Sequence, residues 1–177
     1  AIENVKIALS ERQGTKQIDE TPKFKMTKIN NRRYLGSKYK LLDFIKGIVE
    51  NECKGVNTVA DIFAGTGSVA SAFIEKKLIT NDLLYFNYVC HVAWFSCEKY
   101  DEEKIKQLVC YYNAFQPSED NYMSSNFANT FFSLDDCRKI GYIREDIESK
   151  YRKNKLNTRE RAILITSLLY AMDKIAN

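Results

Sequence analysis

Val59-Ala60-Asp61-Ile62-Phe63-Ala64-Gly65-Thr66-Gly67 is the stretch whose reading decides the fold. An apolar run ends in an acid, an aromatic residue follows, and a Gly-x-Gly turn then opens an amphipathic segment. A buried strand hands over to a helix in this way, through a loop whose backbone must come close to a ligand. Glycine serves there because a Cβ would block the approach or forbid the backbone angles. A nicotinamide dinucleotide is disfavoured: Phe63 stands where a first glycine would be, and Ala70 where a third would fall.

Working outward, the pattern predicts a buried parallel strand over Val56–Phe63 and a crossover helix over Ser68–Lys77, with Val69, Ala70, Phe73 and Ile74 inward. A second short strand is expected at Leu78–Asn81. Leu83–Cys97 is apolar almost all round and is expected to be a buried helix. Upstream, Leu41, Leu42, Ile45, Ile48 and Val49 fall on one face of another helix. Strand, helix, strand and helix with short connections is the pattern of an α/β parallel sheet. Asp82, at the end of the second strand, then sits beside the glycine loop at the carboxyl edge of the sheet. An acid at that place can accept hydrogen bonds from the ribose hydroxyls of an adenosine cofactor.

The second half carries helical patterns alone. Asp101 can cap a helix with Glu102 and Glu103 in its first turn and Ile105, Leu108, Val109 and Tyr112 as its apolar stripe. Gln116–Thr130, rich in Ser, Asn and aromatics, reads as a loop. Ser133 can cap a helix with Ile140, Ile143, Ile147 and Tyr151 inward, although Gly141 inside it costs about 1 kcal/mol relative to alanine. Asn157 opens a last helix with Glu160 at the capping-box position and Ile165, Leu168, Leu169 and Met172 inward. With only two strands expected, the chain is read as the N-terminal part of a larger α/β protein.

The 177 residues suffice for a domain with a core, and two prolines and seven glycines argue against a turn-rich all-β fold. No apolar run approaches the roughly 18–20 residues of a membrane span, and Glu3, Lys6 and Glu11 interrupt any signal-peptide pattern. Five scattered cysteines without a C-x-x-C pair predict free thiols and a cytoplasmic location. With a single histidine, no metal-ligand set is expected. The net charge of +4 is unevenly placed. Lys23, Lys25, Lys28, Arg32, Arg33, Lys38 and Lys40 run without an acid, and Lys150, Arg152, Lys153, Lys155, Arg159 and Arg161 surround Glu160 alone. Two such clusters suggest a polyanion, with a solvated basic surface as the alternative.

Three motifs occur in order: Tyr34-Leu35-Gly36-Ser37-Lys38, then Asp61-Ile62-Phe63-Ala64-Gly65-Thr66-Gly67, then Asn81-Asp82. The second resembles motif I of S-adenosylmethionine-dependent methyltransferases. The three together resemble the Dam-related, adenine-specific (N6) DNA methyltransferases, as does the late piece Leu168–Asn177; the resemblance spans roughly Arg33 to Asn177. It implies a Rossmann-like α/β methyltransferase fold, incomplete here, with a mostly helical second half. Residues 1–30, polar and without sustained periodicity, read as an N-terminal arm, followed by a cofactor-binding part (31–97) and a helical region (98–177) that is a possible DNA-contacting insertion. The resemblance also implies S-adenosyl-L-methionine as cofactor and double-stranded DNA as partner, in a restriction-modification setting.

By that resemblance Tyr34, Gly36, Ser37 and Lys38 line the methionine end of the cofactor, with Lys38 facing its carboxylate or the substrate. Asp61, Phe63, Ala64, Gly65, Thr66 and Gly67 form the loop beneath it, and Asp82 holds the ribose. Lys28, Arg32, Arg33, Lys150, Arg152 and Lys153 are the candidate phosphate contacts. Lys38 as a surface lysine at a helix start, Asp82 as a helix cap and Tyr34 as a packing residue are the plainer alternatives. His91, in an apolar segment, is expected to be buried and hydrogen-bonded rather than catalytic. The family's catalytic Asp/Asn/Ser-Pro-Pro-Tyr/Phe motif does not occur, since Pro22 and Pro117 stand alone. No catalytic residue is therefore assigned. The isolated chain is expected to be inactive until a missing C-terminal portion or a complementary polypeptide joins it. A similar methyltransferase acting on RNA or small molecules, and a non-catalytic DNA-binding or regulatory module, are the two other classes that the motifs admit.

Overall fold

The structure, a computed structural model, describes residues 38–176, the side chain of Tyr39 excepted. The expected arm (1–30) and the candidate residues Lys28, Arg32, Arg33, Tyr34, Gly36 and Ser37 lie outside the described residues. The chain divides into two compact units, Ala1–His91 and Val92–Asn177.

In the first unit a 3-10 turn (Tyr39–Leu41) leads into α1 (Leu42–Glu52). Its expected inward face is only partly covered: Leu42, Ile45 and Val49 are half-buried, whereas Leu41 and Ile48 are exposed, as is Phe44. Strand β1 (Thr58–Asp61) pairs in parallel with β2 (Lys77–Thr80), with Val59 opposite Leu78 and Asp61 opposite Thr80. Burial alternates along both strands, as the two-residue period of a pleated strand requires. Val59, Asp61, Leu78 and Thr80 share the half-buried face; Thr58, Ala60, Lys77 and Ile79 share the exposed one.

The crossover between the strands is tighter than its sequence pattern suggests. Only α2 (Ser68–Ser71) is helical, and the chain then continues in i→i+3 bonds, Ala72 N–H to Val69 at 3.0 Å and Phe73 N–H to Ala70 at 3.0 Å. Residues 62–67 are used by the glycine loop, so the remaining residues must climb back to β2 in short turns. The expected inward residues Ala70 and Phe73 are nonetheless fully buried, and α2 packs on β1. Helix α3 (Tyr85–Phe95) is not buried all round: Asn87, Val89, Cys90, His91 and Ala93 point inward, while Tyr85 and Tyr88 are exposed and Leu83 ahead of it is 97% exposed.

The second unit is helical: α4 (Glu102–Ala114), α5 (Tyr122–Phe127), α6 (Leu134–Arg152) and α7 (Thr158–Ile175). Three caps fall where the sequence places them. Asp101 accepts from Lys104 N–H, Ser133 from Asp136 N–H, and Asn157 forms a full capping box with Glu160. Ile105, Tyr112, Ile147, Leu156 and Leu164 make the core. Leu164 is the buried centre of α7, whereas the expected Ile165, Leu168, Leu169 and Met172 are half-buried.

Residues 116–130 are not merely a loop, because α5 forms inside them. Asn121 accepts from Ser124 N–H at 3.1 Å and Ser124 Oγ accepts from Asn121 N–H at 2.9 Å, a capping box that nucleates one short helix. Asn121 also donates to Arg138 O at 2.8 Å, and a Cβ on Gly141 would lie 2.1 Å from Asn121 Oδ1. Gly141 thus weakens its own helix so that the cap of α5 can lie against it. Among the described residues all cysteines are free, with Cys90 and Cys137 buried. No helix there is long and apolar enough to cross a membrane.

Candidate functional site

The loop between β1 and α2 turns back on itself through two left-handed residues, Gly65 (φ 51°) and Gly67 (φ 78°). L-residues with a Cβ are strained there, which is why glycines occupy both places. Ala64 N–H donates to Asn81 O at 3.0 Å and Gly67 N–H to Ala64 O at 2.8 Å, which ties the loop to the end of β2. Asn81 adds a bond from its side-chain amide to Ile62 O at 3.1 Å. Thr66 and Ser68 share a hydroxyl contact of 3.0 Å. Ala64 and Gly67 are buried, whereas Phe63 stands 78% exposed at the rim.

Asp82 joins this loop to α3. Its Oδ2 accepts from Gly65 N–H at 2.8 Å; its Oδ1 accepts from Leu84 N–H and from Asn87 Nδ2, both at 2.9 Å. Burial pushes the carboxyl pKa up, but the Asn87, Leu84 and Gly65 bonds and the nearby His91 outweigh it and hold the group below the usual aspartate range. An ionised carboxylate has about four acceptor positions. Among the described residues three are used, which leaves one on Oδ2 for a ligand.

The structure thus brings together Asp61, Phe63, Ala64, Gly65, Thr66, Gly67 and Asp82 at the carboxyl ends of the two strands. Asp82 closes a turn just ahead of α3 through Leu84 N–H, and that bond coexists with an open acceptor. Asp61 adds a second polar atom, since its Oδ2 is buried without a hydrogen-bond partner among the described residues. A buried carboxylate oxygen left so is costly unless something else donates to it. This orphaned oxygen, the two glycines and the spare position on Asp82 fit an adenosyl amino acid, whose ammonium and ribose hydroxyls are donors. Lys38 is exposed at the start of the 3-10 turn, its carbonyl accepting from Leu41 N–H at 2.9 Å.

Two residues of this site have no motif in the sequence. Asn87, 1% exposed, supports Asp82, and His91, 4% exposed, meets Gly65 O at 2.9 Å. His91 is buried and hydrogen-bonded as its apolar surroundings suggest. That its partner is the glycine loop follows only from the helix placing it there. Polar residues one turn apart in an apolar helix were the available signal.

Of the second-unit basic candidates, Arg152 and Lys153 are exposed and in no ion pair among the described residues. Lys150 pairs with Asp146. Within the same cluster Arg159 is buried against Glu98 O at 2.8 Å and Arg161 meets Glu148 at 2.7 Å, so part of this charge is spent inside the unit. Among the described residues no group of His, Cys, Asp and Glu could hold a metal ion.

Comparison with known proteins matches residues 34–177 to the D12 class N6 adenine-specific DNA methyltransferase model. The modification methylase LlaI of Lactococcus lactis subsp. lactis is 28% identical over 160 residues, covering 82% of this chain and 25% of that protein. The modification methylase StsI of Streptococcus sanguinis is 31% identical over 160 residues, covering 82% and 24%. The type II methyltransferase M.NlaIII of Neisseria lactamica is 28% identical over 155 residues, covering 81% and 46%. The chain therefore spans about a quarter of the first two and under half of the third. No solved structure matches it. The chain belongs to the D12 class N6 adenine-specific DNA methyltransferase family.

Proposed function

We propose that the complete protein is a site-specific adenine-N6 DNA methyltransferase of a restriction-modification system, and that this chain supplies the part that holds S-adenosylmethionine. The observation that carries the cofactor assignment is the Gly65–Asp82 pair, with an open acceptor on Asp82 Oδ2; Asp61, at the end of β1, adds a buried Oδ2 without a hydrogen-bond partner among the described residues. Family membership and relatives named as modification methylases support DNA as substrate. The parallel pair β1–β2 with its glycine crossover supports a Rossmann-like domain completed by further strands.

The chain's residues divide the work simply. Asp82 accepts from a ribose hydroxyl, Asp61 faces the ammonium of the methionine end, and the backbone of residues 63–67 lies beneath the cofactor. Lys38, with Tyr34, Gly36 and Ser37, belongs at the carboxylate end. When bound, S-adenosylmethionine supplies a methyl group on a cationic sulfur, open to attack by an amine. The target adenine must leave the base stack to meet it. The groups that grip its amino nitrogen are the Pro-Pro motif residues, and no Pro-Pro occurs among these 177 residues. Lys28, Arg32, Arg33, Lys150, Arg152 and Lys153 are proposed to contact phosphates.

The test is transfer of labelled methyl from S-adenosylmethionine to DNA by the complete protein, with chromatography of the hydrolysed bases. Label in N6-methyladenine supports the proposal. Label in cytosine, or transfer only to RNA, protein or a small molecule, overturns it.

A further inference from the structure

Gly65 is held from two sides. Its N–H donates to Asp82 Oδ2 at 2.8 Å, and its carbonyl lies 2.9 Å from His91 Nε2. A carbonyl can only accept, so Nε2 carries the hydrogen and donates. Asn87, one turn before His91 on α3, donates to the other oxygen of Asp82 at 2.9 Å. A ring is closed in this way: helix, Asn87, Asp82, Gly65, His91, and helix again. Both helix residues are almost fully excluded from solvent, so water does not substitute readily for either bond. The residue they fix has a positive φ of 51°, a conformation that glycine samples freely and can leave freely.

We propose that His91 is a positioning residue: it locks the Gly65 peptide in the orientation that receives the cofactor. This rests on the cofactor assignment above. His91 touches no reacting atom; it removes conformational freedom from the loop before the ligand arrives, so that less entropy is lost on binding. Asn87 does the same for Asp82.

The experiment compares His91→Gln, which keeps an amide donor, with His91→Leu, which keeps apolar volume without one. His91→Phe serves as a second donor-free variant should His91→Leu not fold. Two quantities are measured on the complete protein: calorimetric affinity for S-adenosylhomocysteine, and hydrogen–deuterium exchange of the 62–68 amides against those of α3. The donor-free variants are expected to bind about three- to tenfold more weakly and to exchange faster in the loop but not in the helix. His91→Gln should recover most of both. Equal loss in the Gln and donor-free variants would assign His91 to packing alone and overturn the proposal. Unchanged loop exchange without the donor overturns it independently of any ligand. Faster loop exchange in the donor-free variants, together with a wild-type protein that binds no S-adenosylhomocysteine, overturns the cofactor assignment instead.

Discussion

Replacing Asp82 with alanine removes the bonds from Gly65, Leu84 and Asn87 at once; the half-buried Gly65 N–H can turn to water, and the other two set the stability cost. Leu84 N–H loses its acceptor, but Leu84 is exposed and water can replace the carboxylate; losing this turn bond costs about 1 kcal/mol. Asn87 is buried, and its unsatisfied amide costs a further 1–3 kcal/mol or so. The expected loss of stability is therefore about 2–4 kcal/mol. Cofactor affinity falls separately. One acceptor position is open on Oδ2, so one charge-assisted bond is lost, about 1.5–3 kcal/mol or roughly ten- to a hundredfold. Calorimetric titration with S-adenosylmethionine measures the second effect and urea denaturation the first. The stability difference also has a defined pH sense. The folded pKa of Asp82 lies below its ordinary value, so its contribution is complete above about pH 4 and fades as the pH falls through the folded value. Wild type and variant should therefore converge in strong acid. A folded Asp82→Ala protein with unchanged affinity would refute the assignment of Asp82 to the site.

Gly141→Ala should destabilise the protein by about 1–3 kcal/mol in urea, against its helix propensity, because the new methyl meets the Asn121 side chain; a stabilised variant would contradict that packing. Glu160, 2% exposed, accepts from Lys104 Nζ at 2.7 Å, Asn157 N–H at 2.9 Å and Asp101 N–H at 3.0 Å. Glu160→Ala should cost about 2–4 kcal/mol by chemical denaturation, and Glu160→Gln less. Neutralising Arg152 and Lys153 together should lower the slope of log affinity for DNA against log salt by about 2, whereas Lys150→Gln should change it less, since Lys150 is already paired.

The glycine loop and the helix caps were legible because each rests on a local rule. Gly65 and Gly67 announce left-handed backbone, and Asp101, Ser133 and Asn157 announce helix starts. What depended on long-range packing was not legible. The α5 cap was hidden because Asn and Ser serve turns as well as helix starts, and only the contact between Asn121 and the Arg138–Gly141 turn distinguishes them. The apolar run before and within α3 suggested full burial, yet Leu83, Tyr85 and Tyr88 are exposed, since composition does not say which face finds a partner. His91 likewise was readable as a buried histidine, but not as the donor to Gly65, because that pairing joins residues far apart in sequence.

The most direct test of the cofactor cradle is the amide NMR spectrum of the complete protein during titration with S-adenosylhomocysteine. The signals of residues 62–67 and 82–84 should shift together and saturate, with Gly65 and Gly67 moving most. Saturable binding that leaves those amides in place, or shifts confined to other parts of the protein, would contradict the cradle.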